Sequence, residues 1–140
     1  MTDAATETAV GTVVAERQVH VTRDSLVRYA GASGDFNPIH YRDDVAASVG
    51  LPGVLAHGML TMGIAVQPVS EWLGDRGWVL SYGVRFTRPV VVDPETGADI
   101  GIVAKVGTVD DDGRPQRIDL TVTAAEQTVL GKAQVTVAFR

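Results

Sequence analysis

The chain has 140 residues, 45% of them hydrophobic, a formal net charge of -5 and no cysteine. That length suits one domain able to bury a core, while the missing thiols exclude disulfides and thiolate-held metals and fit a reducing compartment. The acidic balance speaks against general nucleic-acid binding, which needs a basic footprint.

Residues 1–10 are acidic and rich in Thr and Ala. They lack the basic start and apolar run of a signal peptide, so they read as a flexible tail before a domain over residues 11–140 of a cytoplasmic protein. In residues 12–21 the β-branched Thr12, Val13, Val14, Val19 and Val21 predict a strand with His20 on its surface. Thr22 is placed to cap a helix, with Asp24 at its positive end and Leu26, Val27 and Ala30 as its apolar stripe. Gly31 and Gly34 should stop it. Residues 43–49 read as a short helix with Ala46 and Val49 inward and Gly50 as its cap, followed by a turn at Leu51, Pro52 and Gly53.

Residues 54–72 are the longest helical candidate, apolar all round and so expected to be wrapped on most sides by a sheet. Their apolar run is too short for a membrane span and is interrupted by His57. Pro68 should kink or end the helix, which places its regular part before Gln67. Strands are predicted over 78–92, 98–109, 114–125 and 129–139. One-sided alternation is clear in Ile100, Ile102, Ala104 and Val106, in Ile118, Leu120, Val122 and Ala124, and in Ala133, Val135, Val137 and Phe139. Short links at Asp112-Gly113 and Glu126-Gln127 make the last three an antiparallel meander, and the whole an α+β domain.

The chemistry-bearing stretch is residues 29–40, which crowds Gly31, Gly34, Asp35, an Asn37-Pro38 step and His40 into one loop. Asp35 and His40 would stand up to roughly 17 Å apart in an extended chain. Asn37 is pushed out of the helical region by the proline after it, and Pro38 is preset for a turn, so the two side chains can fold together. A carboxylate and an imidazole so placed can share one substrate atom and do general acid and base work. The same pattern also makes an ordinary surface turn with His40 as a bystander. Further on, His57-Gly58 sits where the buried helix begins. The Gly58 N–H can receive the oxyanion of an enolised thioester, or Gly58 only permits tight packing and His57 only caps. No Gly-x-Ser-x-Gly elbow, P-loop or Gly-x-Gly-x-x-Gly occurs, and Asp35, His40 and His57 lack a metal-ligand spacing on one helix. No metal or cofactor is therefore expected.

Residues 29–40, then 56–63 (Ala-His-Gly-Met-Leu-Thr-Met-Gly), then 82–87 (Tyr-Gly-Val-Arg-Phe-Thr) resemble the MaoC-like, R-specific enoyl hydratase and dehydratase family. Within it the likeness is to the catalytic B-type subunits of actinobacterial (3R)-hydroxyacyl-ACP dehydratases, over about residues 13–139. The resemblance implies a single hot-dog fold, an antiparallel sheet around a long central helix. It implies Asp35 and His40 as the catalytic pair, the Gly58 N–H as oxyanion donor, and Asn37 and His57 on the substrate side. The implied reaction is reversible dehydration of (3R)-3-hydroxyacyl-ACP or -CoA thioesters to trans-2-enoyl thioesters in fatty acid elongation. Arg42, Arg76, Arg85 and Arg88 are candidates to meet an acidic carrier. A second hot-dog subunit is the implied partner, an unlike chain being favoured over self-pairing. The rivals are a non-catalytic acyl-binding subunit and a hot-dog thioesterase, which usually carries a carboxylate on the central helix where residues 55–67 have none. Pro68 and the connection over residues 93–97 depart from the family pattern.

Overall fold

The computed structural model describes residues 9–140, so most of the tail expected over residues 1–10 lies outside the described residues. Five strands form where β-branched residues alternate: β1 Val13–Val21, β2 Gly77–Phe86, β3 Ala98–Val109, β4 Pro115–Ala124 and β5 Gln127–Phe139. They pair antiparallel in one sheet of order β1-β3-β4-β5-β2. The meander β3-β4-β5 is as expected, and β1 and β2 close it as the two edges. Between β4 and β5 the turn falls on Ala125 and Glu126, both at positive φ (50° and 62°), the pair of left-handed residues a two-residue hairpin needs. The last strand therefore starts at Gln127, ahead of the expected Val129.

Three helices follow β1 or precede β2: α1 Arg23–Ser33, α2 Asp43–Ser48 and α3 Gly58–Leu73. Thr22 accepts from Ser25 N–H and Ser25 Oγ accepts from Thr22 N–H, a reciprocal cap on α1. Gly31 stays inside α1; it is Gly34, at φ 79°, that ends it with its N–H on Ala30 O. α3 packs on the face of the sheet to which Ile100, Ile102, Ala104, Val106, Ile118, Leu120 and Val122 point, and its Ala65, Val69 and Leu73 join them in one buried cluster. This is the hot-dog arrangement.

Three expectations for the central helix are corrected. It starts at Gly58, not at residue 54, because residues 54–56 are extended and pair with residues 90–92: Ala56 N–H bonds Val90 O and Val92 N–H bonds Val54 O. Correspondingly β2 ends at Phe86 and not at residue 92, since Pro89 has no N–H to continue a ladder. The helix also runs through Pro68 to Leu73. A mid-helix proline costs about 3 kcal/mol. Full burial of Val69 and Leu73 beyond it contributes on the order of 1.5–3 kcal/mol each and holds the last turn in place. Nor is α3 wrapped on most sides. Thr61, Ala65, Val69 and Leu73 form its buried stripe, while Met59, Gly63, Gln67 and Ser70 face outward, because one five-stranded sheet covers one side of a helix. Among the described residues no helix is long and apolar enough to cross a membrane.

Candidate active site

After Gly34 the chain makes two successive side-chain turns. Asp35 Oδ1 accepts from Asn37 N–H (3.1 Å) and Asn37 Oδ1 accepts from Ile39 N–H (3.2 Å), which starts a 3-10 turn over Pro38–His40. Pro38 occupies the first position, where its missing N–H costs nothing. This brings His40 Nε2 to 3.9 Å from Asp35 Oδ2, the closeness expected from the loop. That gap is too long for a direct hydrogen bond and can be bridged by one oxygen atom.

The environments of the pair differ. The Asp35 side chain is 51% exposed and that of His40 10%. His40 Nδ1 lies 2.6 Å from Leu55 O, and because a carbonyl only accepts, Nδ1 carries the proton. With Nδ1 donating, the neutral form of His40 has its bare lone pair on Nε2, facing Asp35, which is the form a general base requires. The same segment is held from the other side by Leu55 N–H on Ile39 O at 3.1 Å.

Arg23 secures the surroundings. Its guanidinium pairs with Asp43 at the start of α2 (2.9 Å) and its Nε donates to Val92 O (2.6 Å), joining α1, α2 and the 90–92 segment. The hydrogen bonds from Arg23 hold the Asp43 carboxyl below its usual range.

His57 occupies the N-cap position of α3 but makes no side-chain cap. It is 1% exposed, its ring stacks on His40 at 3.8 Å with the planes 21° apart, and Tyr29 meets it edge-on at 4.7 Å. Its Nε2 donates to Asp35 O at 3.1 Å. Burial pushes its pKa below the ordinary 6.5, His40 adding to that effect and the Asp35 carbonyl opposing it.

Gly58 begins a 16-residue helix, so its N–H has no acceptor within the helix and lies at the positive end of the dipole. It lines a cavity of about 290 Å³ together with His40, Leu55, Ala56, Thr61 and Phe86 among others. The ring of Phe86 lies over Gly58, with Cε1 2.9 Å from where a Cβ would stand. His57 sits behind His40, outside that lining. An imidazole and a helix-start amide thus line the apolar cavity, and the Asp35 carboxyl stands 3.9 Å from that imidazole without being part of the lining.

A metal fits poorly here. Asp35, His40 and His57 have ligand atoms within 4.8 Å of one another. A ring nitrogen binds an ion in its own plane at about 2.0–2.1 Å, and two nearly parallel rings stacked at 3.8 Å cannot both aim at one ion.

Of the residues singled out from sequence, Asp35, Asn37 and His40 share the loop and 3-10 turn after α1, and His57, at the start of α3 beside Gly58, touches that loop through the Asp35 carbonyl and the His40 ring. Sequence reasoning missed Leu55 O, the Phe86 ring over Gly58 and the Arg23 clamp. Backbone carbonyls carry no residue signature, and Phe86 reads as one more strand aromatic.

Comparison with known proteins adds the following. The family described as "MaoC like domain" matches residues 5–129. Over 79 residues the chain is 34% identical to 3-hydroxyacyl-thioester dehydratase X of Mycobacterium tuberculosis, a match covering 56% of this chain and 27% of that protein. A solved "MaoC-like dehydratase" superposes with a TM-score of 0.86 at 35% identity over 96% of this chain and 41% of the other. The chain thus spans well under half the length of either relative. The ChsH1-ChsH2 complex from Mycobacterium tuberculosis shares the fold, with a TM-score of 0.80 at 21% identity, covering 95% of this chain and 99% of that one.

Proposed function

The chain belongs to the MaoC-like domain family, and from that membership and the site's geometry we propose that it interconverts (3R)-3-hydroxyacyl and trans-2-enoyl thioesters by loss or gain of water. The observation that carries this reading is the His40 tautomer: Nδ1–H spent on Leu55 O, Nε2 free, 3.9 Å from a carboxylate. In dehydration His40 Nε2 takes the C2 proton and Asp35, entering this step in its protonated carboxyl form, gives its proton to the C3 hydroxyl, which leaves as water. The thioester oxygen, negative while C2 is deprotonated, is received by the Gly58 N–H. The proton then held by His40 returns to Asp35 across the short gap between them, and hydration is the reverse. Asn37 holds the substrate hydroxyl or the water. The acyl chain enters the apolar cavity beside Leu55 and Phe86, and Arg88 near its mouth suits an acidic carrier, ACP or CoA. A thioesterase reading is less well supported, since the carboxylate on α3, Glu71, is already paired with Arg17.

A second hot-dog unit, favoured as an unlike chain, and a cytoplasmic setting belong to the same proposal. Edge strand β2 leaves Trp78 and Leu80 48% and 59% exposed, α3 leaves Met59 60% exposed, and an unpaired edge invites another chain. Hydration of crotonyl-CoA and of a long-chain enoyl-ACP, assayed on the chain alone and then with a neighbouring hot-dog gene product, tests both. Enoyl turnover supports the reaction, and its absence with every thioester in both preparations refutes it. A fully active self-dimer unaffected by the second protein refutes the unlike partner, and an active monomer refutes the interface.

A further inference from the structure

We propose that His57 is a positioning residue that ties the three working parts of the site to one buried ring. Its kinetic test rests on the hydratase reading above. Its Nε2–H holds the main chain of Asp35, its face backs the ring of His40, and it directly precedes Gly58 in the chain. Around Asp35 itself the other bonds are short-range, Asp35 N–H to Ser33 Oγ and Asn37 N–H to Asp35 Oδ1, while the long-range ties to Leu55 come at the far end of the loop, at Ile39 and His40. The His57 bond links that exposed loop to the helix that carries Gly58.

Packing alone gives no reason for a histidine here. With Nε2 donating to a carbonyl, the neutral ring leaves Nδ1 as a bare acceptor, and that atom is buried without a hydrogen-bond partner. Such a group is costly, and a phenylalanine or leucine would fill the space without it. The donor on the other side of the ring is what an apolar residue cannot supply. The groups facing the ring are His40 on the 3-10 turn, Asp35 in the loop and Tyr29 on α1. A cation at His57 would lie against His40 with no acceptor for its Nδ1–H. Burial holding the ring neutral fits this role, because His40 must gain a proton in each cycle and a neutral neighbour does not oppose it.

His57→Phe keeps the ring and removes the donor, whereas His57→Gln restores an N–H at similar reach. For crotonyl-CoA hydration, His57→Phe is expected to lower kcat about tenfold to a hundredfold with KM within about threefold, as for a displaced catalytic group. His57→Gln should recover much of the loss. Wild-type kcat in His57→Phe overturns the proposal. So does a change confined to KM in both variants, which would make His57 a substrate contact. Because His57→Phe can fail to fold, nitrogen NMR of the wild-type protein supplies a second test. At neutral pH His57 should show a protonated Nε2 and a bare Nδ1, with a titration midpoint below the ordinary 6.5. A cationic ring or the opposite tautomer overturns the proposal. If the wild type hydrates no thioester, the reaction reading fails, and the NMR result still decides the role of His57.

Discussion

Replacing Gly58 by alanine separates the catalytic from the packing role of that glycine, because the two predict opposite outcomes. A Cβ there would stand 2.9, 3.1 and 3.3 Å from Cε1, Cδ1 and Cζ of Phe86. Carbon atoms sit comfortably at about 3.5 Å or more, so the ring must retreat by roughly 0.6 Å. Phe86 is 56% exposed, which leaves it room to swing, and alanine favours a helix over glycine by up to about 1 kcal/mol. Thermal stability should therefore be unchanged or slightly higher. Turnover should not follow. The methyl and the displaced ring crowd the cavity where the thioester oxygen must reach the Gly58 N–H. Loss of one oxyanion donor costs about a hundredfold to a thousandfold in kcat, so a blocked donor should approach about a hundredfold. Melting curves alongside crotonyl-CoA hydration, followed through the loss of the enoyl thioester chromophore, make the measurement. Unaltered kcat and KM in a folded Gly58→Ala would refute the oxyanion assignment and leave Gly58 as a packing residue.

Asp35→Asn and His40→Ala should each lower kcat by at least about a hundredfold while the melting curve stays cooperative, and near-normal turnover in either would remove that residue from the mechanism. Tyr82 donates its OH to Met62 O at 2.8 Å near the start of α3, and burial pushes its pKa up from 10.0 to about 12. Its stabilising effect is thus complete below pH 10 and lost as the pH rises toward 12. Tyr82→Phe should cost about 1 kcal/mol at neutral pH and flatten that alkaline loss, as read from urea unfolding across pH; an identical pH dependence in both proteins would contradict the assignment.

The strands were legible because Ile100, Ile102, Ala104 and Val106 and their counterparts in β4 and β5 alternate strictly, and one buried face permits no other register. The closeness of Asp35 and His40 was legible because the Asn37-Pro38 step restricts the backbone locally. What failed was decided by contacts distant in sequence. Val54, Leu55 and Ala56 look like the first turn of an apolar helix, and only the hydrogen bonds to Val90 and Val92 make them extended. Pro68 looks like a stop, and only the pocket for Val69 and Leu73 carries the helix past it. The role of the Leu55 carbonyl had no signal at all, since every residue has one.

Leu55 serves two masters. It lines the cavity, while its main-chain N–H donates to Ile39 O and its carbonyl accepts from His40 Nδ1–H. Any residue except proline at position 55 would keep those two main-chain bonds. The shape of the cavity can therefore drift there, or be engineered, without touching the bond that fixes the Nδ1 proton of the histidine beside it. Cavity shape and histidine tautomer are separable at a single position, one written in the side chain and the other in the peptide group.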